Sequence, residues 1–339
     1  MDLKTKITKI HYDKNSKGLL FGILKFCSLF YGIASRTKNF LYDKKILHPK
    51  KVNAYVISVG NFTTGGVGKT PVVAELAKYY VDRGDKVAIV SRGYGGKLNN
   101  KKVNVISDGI NLYYKADMAG DEPYWLAVNL NMCAVLTCSD RYKACKYAVE
   151  NFGITKIILD DGFQHRKMHR DLDIVLVDSE KMFGNENLLP AGPLREGVEG
   201  FRRIDRLVVV SKNVDHSKAE KLVRILGKKQ GVRTFLCKTE PDYIYNIMSG
   251  EHLAIGSEVS AMCAIGQPEQ FYNFLAKDYV VKDKLTFDDH HQYVKTDFDN
   301  LKGNIVTTEK DAVKLAKFNK LNIYALKLKT FVNVENILN

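Results

Sequence analysis

Residues 56–71, VISVGNFTTGGVGKTP, constrain the fold more than any other stretch of the chain. An apolar, β-branched run passes into a glycine-rich loop and then into a helix start, the context that a phosphate-binding loop requires. Gly65, Gly66 and Gly68 let the backbone curl so that successive N–H groups face an anion, with Thr63, Thr64 and Val67 completing the cradle. The helix beginning near Gly68 adds the positive end of its dipole at the same point. Lys69 is placed to reach the β- and γ-phosphates of ATP, and Thr70 to offer its hydroxyl to Mg²⁺. Pro71 falls in the first helical turn, where it sacrifices no hydrogen bond. The general pattern G-x-x-x-x-G-K-S/T asks for glycine at position 63, and this chain has Thr63 there.

From about residue 53 onward, short runs rich in Val and Ile alternate with helical stretches. Strands are expected at Tyr55–Val59, Lys86–Val90, Ala134–Thr137, Lys156–Asp160, Asp173–Val177 and Arg206–Val210. Helices are expected at Pro71–Arg83, Glu122–Val128 and Arg141–Asn151. This rhythm predicts an α/β fold, a P-loop NTPase-type doubly wound and mostly parallel sheet with ligands at the carboxyl ends of its strands. The run from Ile157 ends in Asp160 and Asp161, the form of a Walker B strand, so either carboxylate is a candidate for Mg²⁺ beside the loop. After about Arg233 the pattern changes. Extended segments at Thr234–Thr239 and Leu253–Ile255 bracket a polar turn. A second series follows, with strands near Ser260–Ile265, Val280–Thr286, Asn304–Thr307 and Asn322–Lys327 and helices at Glu269–Ala276 and Asp311–Lys317. The expected organisation is an N-terminal helical region (1–45), a P-loop domain (46–233), a two-stranded β linker (234–256) and a smaller C-terminal α/β domain (257–339).

The composition, 45% hydrophobic and 27% charged, is that of a folded globular chain and excludes a disordered one. Its six cysteines form no CxxC pair, which points to reduced thiols in a cytoplasmic setting and away from a disulfide framework or a zinc site. A net charge of +14 calls for a polyanionic partner: nucleic acid, an anionic membrane surface or a phosphorylated substrate. No zinc-finger spacing or RNP-like aromatic run supports nucleic acid. The apolar run from Gly18 to Ser35 contains Lys25, which makes it a poor bilayer span, and no A-x-A cleavage pattern follows it. Read as a helix, it puts Leu20, Ile23, Leu24, Cys27, Phe30, Tyr31 and Ala34 on one face, flanked by Lys14, Lys17, Arg36 and Lys38. Such a face suits either a helix resting on an anionic bilayer or a helix packed on the body of the protein.

Further motifs stand along the chain: SRGY at 91–94, GDEP at 120–123, DDGFQHR at 160–166, LPAGPLRE at 189–196 and TTEKD at 307–311. Together with residues 61–71, their order and spacing closely resemble the tetraacyldisaccharide 4′-kinase family, the lipid A 4′-kinases of Gram-negative bacteria. The resemblance implies an ATP- and Mg²⁺-dependent enzyme at the cytoplasmic face of the inner membrane. Its substrate would be a tetraacylated glucosamine disaccharide 1-phosphate, phosphorylated on the 4′-hydroxyl to give lipid IVA. The family pattern around a C-terminal histidine resembles F-P-D-H, and this chain has FDDH at 287–290, without the proline.

Asp121, read from its neighbours alone, is where an N-cap aspartate would open a helix. The resemblance implies instead that it is the catalytic acid–base group, with His290 beside it to orient the carboxylate; adjacent His291 is a rival for that role. Arg92, Arg141 and Arg195 are candidates for neutralising phosphate charge, because guanidinium forks suit phosphate oxygens. Glu196 is a candidate for the magnesium shell, and Tyr94, Glu122, Gln164 and His165 are candidates for substrate contact. A rival from another class is a regulatory ATPase of the deviant Walker type. Such proteins carry a signature lysine before the paired glycines, where this chain has Thr64. No obligate protein partner is inferred.

Overall fold

Two helices, α1 (Leu3–Tyr12) and α2 (Leu19–Asp43), precede the first strand. There follow β1 (Tyr55–Asn61), α3 (Lys69–Val81), β2 (Val87–Ser91), β3 (Asn104–Ser107), α4 (Ala116–Ala119), α5 (Asp121–Asn129) and β4 (Cys133–Thr137). The chain continues through α6 (Arg141–Phe152), β5 (Lys156–Asp160), β6 (Leu172–Asp178), β7 (Arg206–Ser211), α7 (Ser217–Gln230) and β8 (Arg233–Asn246). It closes with β9 (Glu258–Cys263), α8 (Pro268–Asp278), β10 (Val280–Thr286), β11 (Asn304–Thr308), α9 (Glu309–Leu315), β12 (Ile323–Val332) and α10 (Val334–Leu338). This computed structural model describes residues 3–339 apart from 213, 214, 267, 289, 290, 300, 302 and 319.

Among the described residues the strands join one sheet in the order β10-β9-β11-β12-β8-β7-β6-β1-β5-β2-β4-β3. Every pairing is parallel except β3–β4 and β8–β12. The central strands read as unbroken apolar runs because both faces are covered. Ile57 and Val59 of β1 pack with Val72, Val73 and Leu76 of α3, whereas Val56 lies among Ala144, Ala148 and Ile157 on the opposite face. Beyond β8, separate clusters gather around Phe271, Tyr272 and Leu275, and around Tyr293, Phe298 and Leu315. In the ladder β1 is flanked by β5 and β6, with Val59 opposite Asp160 and Val59 opposite Ile174. The loop after β1 and the carboxylates that end β5 therefore emerge side by side at the same sheet edge.

The structure departs from the sequence reading in three places. The return strand expected at Leu253–Ile255 does not form; β8 pairs antiparallel with β12 instead, and only a single bridge joins Tyr245 to His252. The hydrophobic pattern gave no cue to this, because the partner lies far along the chain. Pro241 sits in β8 beyond Lys238, the last residue that pairs with β7, so its missing N–H faces no parallel neighbour. The β8–β12 ladder shifts register between Leu326 and Leu328, next to Pro241. An antiparallel edge strand, β3, and a short first helix, α1, were also not anticipated.

Ile158, fully buried at the centre of β5, tests this core. Ile158→Ala is expected to destabilise the protein by about 2–5 kcal/mol through lost burial and the cavity left behind. The midpoint of urea unfolding would report it, and an unchanged midpoint would contradict a two-sided core.

Candidate active site

The loop between β1 and α3 turns on Gly65 and Gly68, whose φ values of 105° and 96° lie where only glycine rests without strain. Thr63 stands where the general motif has glycine because the chain is extended at that point. It is buried and forms an antiparallel bridge with Leu194, and the Thr64 N–H donates to the Pro193 carbonyl at 2.8 Å. Lys69 Nζ donates to Asn61 Oδ1 at 3.1 Å and lies 3.3 Å from Asp161 Oδ1. Thr70 follows it in the first turn of α3, and Val67 is buried beneath the loop. Two side chains that sequence reasoning missed brace the loop from outside. Tyr12 of α1 donates its hydroxyl to the Thr64 carbonyl at 3.1 Å. Lys212, just past β7, donates to the Gly66 carbonyl and lies 3.3 Å from Asp178.

Asp160 and Asp161 differ sharply. Asp161 has a left-handed φ of 55°, which turns its carboxylate toward the loop. Arg195 Nη1 donates to both of its oxygens at 2.8 and 2.7 Å. Burial alone would raise its pKa, but Lys69 and Arg195 outweigh this and hold it down at about 2. Asp160 is buried, and its Oδ1 has no hydrogen-bond partner. Burial, reinforced by the charge of Glu122, pushes its carboxyl up to about 7. A buried carboxylate oxygen without a donor, next to a phosphate loop, is the environment that a divalent cation would complete. Among the described residues no three His, Cys, Asp or Glu side chains cluster as a metal cage. Mg²⁺ takes one or two protein oxygens and fills its shell with phosphate and water.

Around this pair the structure gathers several of the expected residues. Arg141, at the start of α6, is buried with its Nε unpartnered. Burial depresses its pKa, Asp161 and Asp160 oppose this, and Arg92 adds to it, so these four charges share one region. Tyr94 is exposed on the loop after β2. His165 is kept neutral, its pKa lowered to about 4 by burial and then by Arg141, and its Nε2 has no partner.

Glu196 and Gln164 serve other ends than those expected. Glu196 is buried and accepts hydrogen bonds from Arg203, from Gln164 at 2.9 Å and from Asn39 of α2 at 3.3 Å. Its carboxylate is thereby engaged as a tether and does not join Asp160 and Asp161. Gln164 Nε2 also donates to the Asn61 carbonyl at 2.9 Å, which ties the β5 loop to the end of β1.

Asp121 is not the cap of its helix. Gly120 occupies that position with φ 91°, where a Cβ would come within 2.8 Å of the Tyr94 carbonyl. Asp121 is the first helical residue, buried, with Oδ2 3.1 Å from Lys314 Nζ. Lys314 carried a sequence signal only in its spacing, three residues after Asp311 of TTEKD and therefore on the same helix face. His290 lies outside the described residues, as does Asp289. The rival His291 is described, and its Nε2 lies 2.8 Å from Asp297 Oδ2.

The family described as LpxK, tetraacyldisaccharide-1-P 4′-kinase, matches residues 20–339. A tetraacyldisaccharide 4′-kinase of Halothermothrix orenii is 36% identical, covering 94% of this chain and 91% of the relative. That of Francisella tularensis subsp. novicida is also 36% identical, covering 97% of this chain and all of the relative. Among solved structures, LpxK from Aquifex aeolicus in complex with ATP superposes with a TM-score of 0.74 at 33% identity, covering 94% of this chain and 97% of the other. These similarities do not favour the regulatory ATPase.

The raised pKa of Asp160 makes cation binding pH-dependent. Its carboxyl is largely protonated below about pH 7, so a bound cation must displace a proton there. Affinity for Mg²⁺ in the presence of ADP is expected to rise by up to about tenfold per pH unit toward pH 7 and to level off above it. Calorimetry at pH 6 in buffers of different ionisation heat should detect about one proton released. No proton release, or release that persists in Asp160→Asn, would refute the assignment.

Proposed function

The chain belongs to the tetraacyldisaccharide-1-P 4′-kinase family and is an ATP- and Mg²⁺-dependent kinase of lipid A biosynthesis, and from that premise we propose how its residues divide the work. The acceptor is the 4′-hydroxyl of a tetraacyldisaccharide 1-phosphate, and the product is lipid IVA. The 4′-oxygen attacks the γ-phosphorus, the bond to ADP breaks, and the hydroxyl proton passes to a base. The observation that carries the assignment is Lys69, held between Asn61 and Asp161 beside an Asp160 oxygen that lacks a partner.

Residues 63–70 cradle the triphosphate through backbone N–H groups, and Lys69 leaves its resting partners to meet the β- and γ-phosphates. Thr70 and Asp160 would hold Mg²⁺, which when bound neutralises charge on the transferring phosphoryl group. Asp161 keeps Lys69 and Arg195 in register, and Arg195 with Arg141 supplies the remaining positive charge. Asp121 accepts the hydroxyl proton, with His290 orienting it. Arg92, Tyr94, Glu122 and His165 line the approach of the disaccharide, and its 1-phosphate adds to the anionic load that the basic site accepts.

The acyl chains and the N-terminal helix meet at a membrane surface in this reading, the cytoplasmic face of the inner membrane. Helix α2 supports both roles open to it. Leu24, Ser28 and Gly32 at i, i+4 spacing, with Asn39 seven residues on, form a buried stripe, and Ser28 Oγ donates to the Leu188 carbonyl at 2.9 Å. Ile23, Phe26, Leu29, Phe30 and Ile33 are more than half exposed along the rest of the helix. Helix α2 is long and apolar enough by composition to cross a bilayer, yet its buried stripe keeps it along the body. An interfacial placement satisfies both faces.

Transfer of label from γ-³²P-ATP to the acylated disaccharide tests the chemistry. Lys69→Ala is expected to lose about 10²–10³-fold in kcat/KM, and Asp121→Asn about 10²–10⁴-fold in kcat with ATP affinity kept. A folded Lys69→Ala enzyme of normal activity would remove the assignment. Serine at Phe26, Phe30 and Ile33 together should release the protein from anionic vesicles in sedimentation while leaving its melting point within a few degrees. Undiminished sedimentation would remove the membrane reading. Deletion of the helix would be less informative, because Tyr31 of α2 also donates to the Arg195 carbonyl at 2.8 Å.

A further inference from the structure

Lys314 is a buried ammonium on α9 that reaches across to α5. Its side chain is 4% exposed, and Nζ lies 3.1 Å from Asp121 Oδ2, 3.6 Å from Asp311 Oδ1 and 3.1 Å from the His291 carbonyl, to which it donates. The Tyr293 ring lies beneath it, with the centroid at 5.7 Å. Asp311 is itself fixed, since Oδ2 accepts from the Ala264 N–H at 2.9 Å and from Thr308 Oγ1 at 2.8 Å. A buried cation is costly unless paired, and this one draws its pairing from three separate segments: the start of α5, the start of α9 and the stretch at 291–293.

We propose that Lys314 is a positioning residue for the kinase reaction, which fixes the carboxylate of Asp121 toward the acceptor hydroxyl and holds the main chain at His291. The proposal rests on the reading of Asp121 as the base. Three features support a role through Asp121 over that of a plain strut. Lys314 approaches one Asp121 oxygen, Oδ2, and an ammonium anchored by Asp311 restricts how the carboxylate can turn. Gly120 pins the backbone immediately before Asp121, so both the main chain and the side chain of the base are held. The same ammonium holds the His291 carbonyl, so one side chain ties the base to the main chain at His291 as well as to Asp311.

The test is a double-mutant cycle on the full chain, with kcat, KM for ATP and thermal melts measured for Lys314→Met, Lys314→Arg, Asp121→Asn and the Lys314→Met/Asp121→Asn pair. Lys314→Met is expected to lower kcat about 10²-fold with KM for ATP changed less than about threefold, and Lys314→Arg to recover at least about tenfold. The pair should be no slower than Asp121→Asn alone, because a residue acting through Asp121 has nothing left to act on. Should Lys314→Met fail to melt cooperatively, Lys314→Gln, which keeps a donor without the charge, carries the same comparison. A Lys314→Met enzyme within about threefold of wild type, beside an inactive Asp121→Asn, would overturn the proposal alone. Losses that multiply in the pair would overturn it as well. A fully active Asp121→Asn would remove the base reading, and this proposal with it.

Discussion

Asp160 and Asp161 are neighbours in the chain yet stand in opposite electrostatic surroundings, and the parallel pairing of β1 with β5 separates them. Asp160 is the last residue of the strand, in register with Val59, and so stays buried at the sheet edge. Asp161 is the first residue past the ladder and takes a left-handed turn that delivers its carboxylate to Lys69 and Arg195. One carboxylate is held charged at rest by two cations; the other is pushed toward its neutral form by burial. A kinase site needs both kinds. In the proposed reading the paired one would hold Lys69 and Arg195 in place before ATP arrives, and the unpaired one would take a metal.

The N-terminal helices extend this arrangement outward. Helix α2 grips the 185–196 loop through Ser28, Tyr31 and Asn39, and that loop carries Arg195. Helix α1 reaches the phosphate loop itself through Tyr12, and His11 Nε2 lies 2.9 Å from the Pro190 carbonyl. The helix whose outer face is proposed to touch lipid is thus one hydrogen bond away from the arginine that pairs with Asp161. A helix that served only as an anchor would need no polar stripe against the body. The buried Ser28, Gly32 and Asn39 show that its inner face is built for the loop while its outer face remains apolar.

What was legible in the sequence was local. Strand, glycine loop, Lys69 and Thr70 are contiguous, and the Walker B run is a single strand, so periodicity and spacing sufficed to place them. Read from its neighbours alone, Asp121 is a helix cap, because aspartate before a helix usually is one; only the family resemblance points to it as the base. The positive φ of Gly120, invisible in composition, moves the cap back by one residue. Glu196 is a magnesium-shell candidate in sequence, but Gln164 and Asn39, from two distant parts of the chain, and the nearer Arg203 claim its carboxylate. The partner of β8 was missed for the same reason: β12 lies some eighty residues further along the sequence. Contacts at long sequence separation leave no periodic trace.

Those long-range contacts also explain how one site can draw on chain segments as far apart as Lys69 and Lys314. Strand β8 pairs with β7 on one side through Lys238 and with β12 on the other from Cys237, so the two ladders overlap by only Cys237 and Lys238. The sheet therefore continues through β8 without a break, and the helix between β11 and β12 is carried on the same framework as β1 and β5. A backbone ladder is stiff along its hydrogen bonds but twists readily between strands. Something must fix that last degree of freedom if α9 is to meet α5 to within ångströms. The buried ion pair of Lys314 with Asp121 ties α9 directly to α5. A charge pair is costly to bury and therefore poor as general adhesive, but it tolerates little misplacement, which is the property a two-part active site needs.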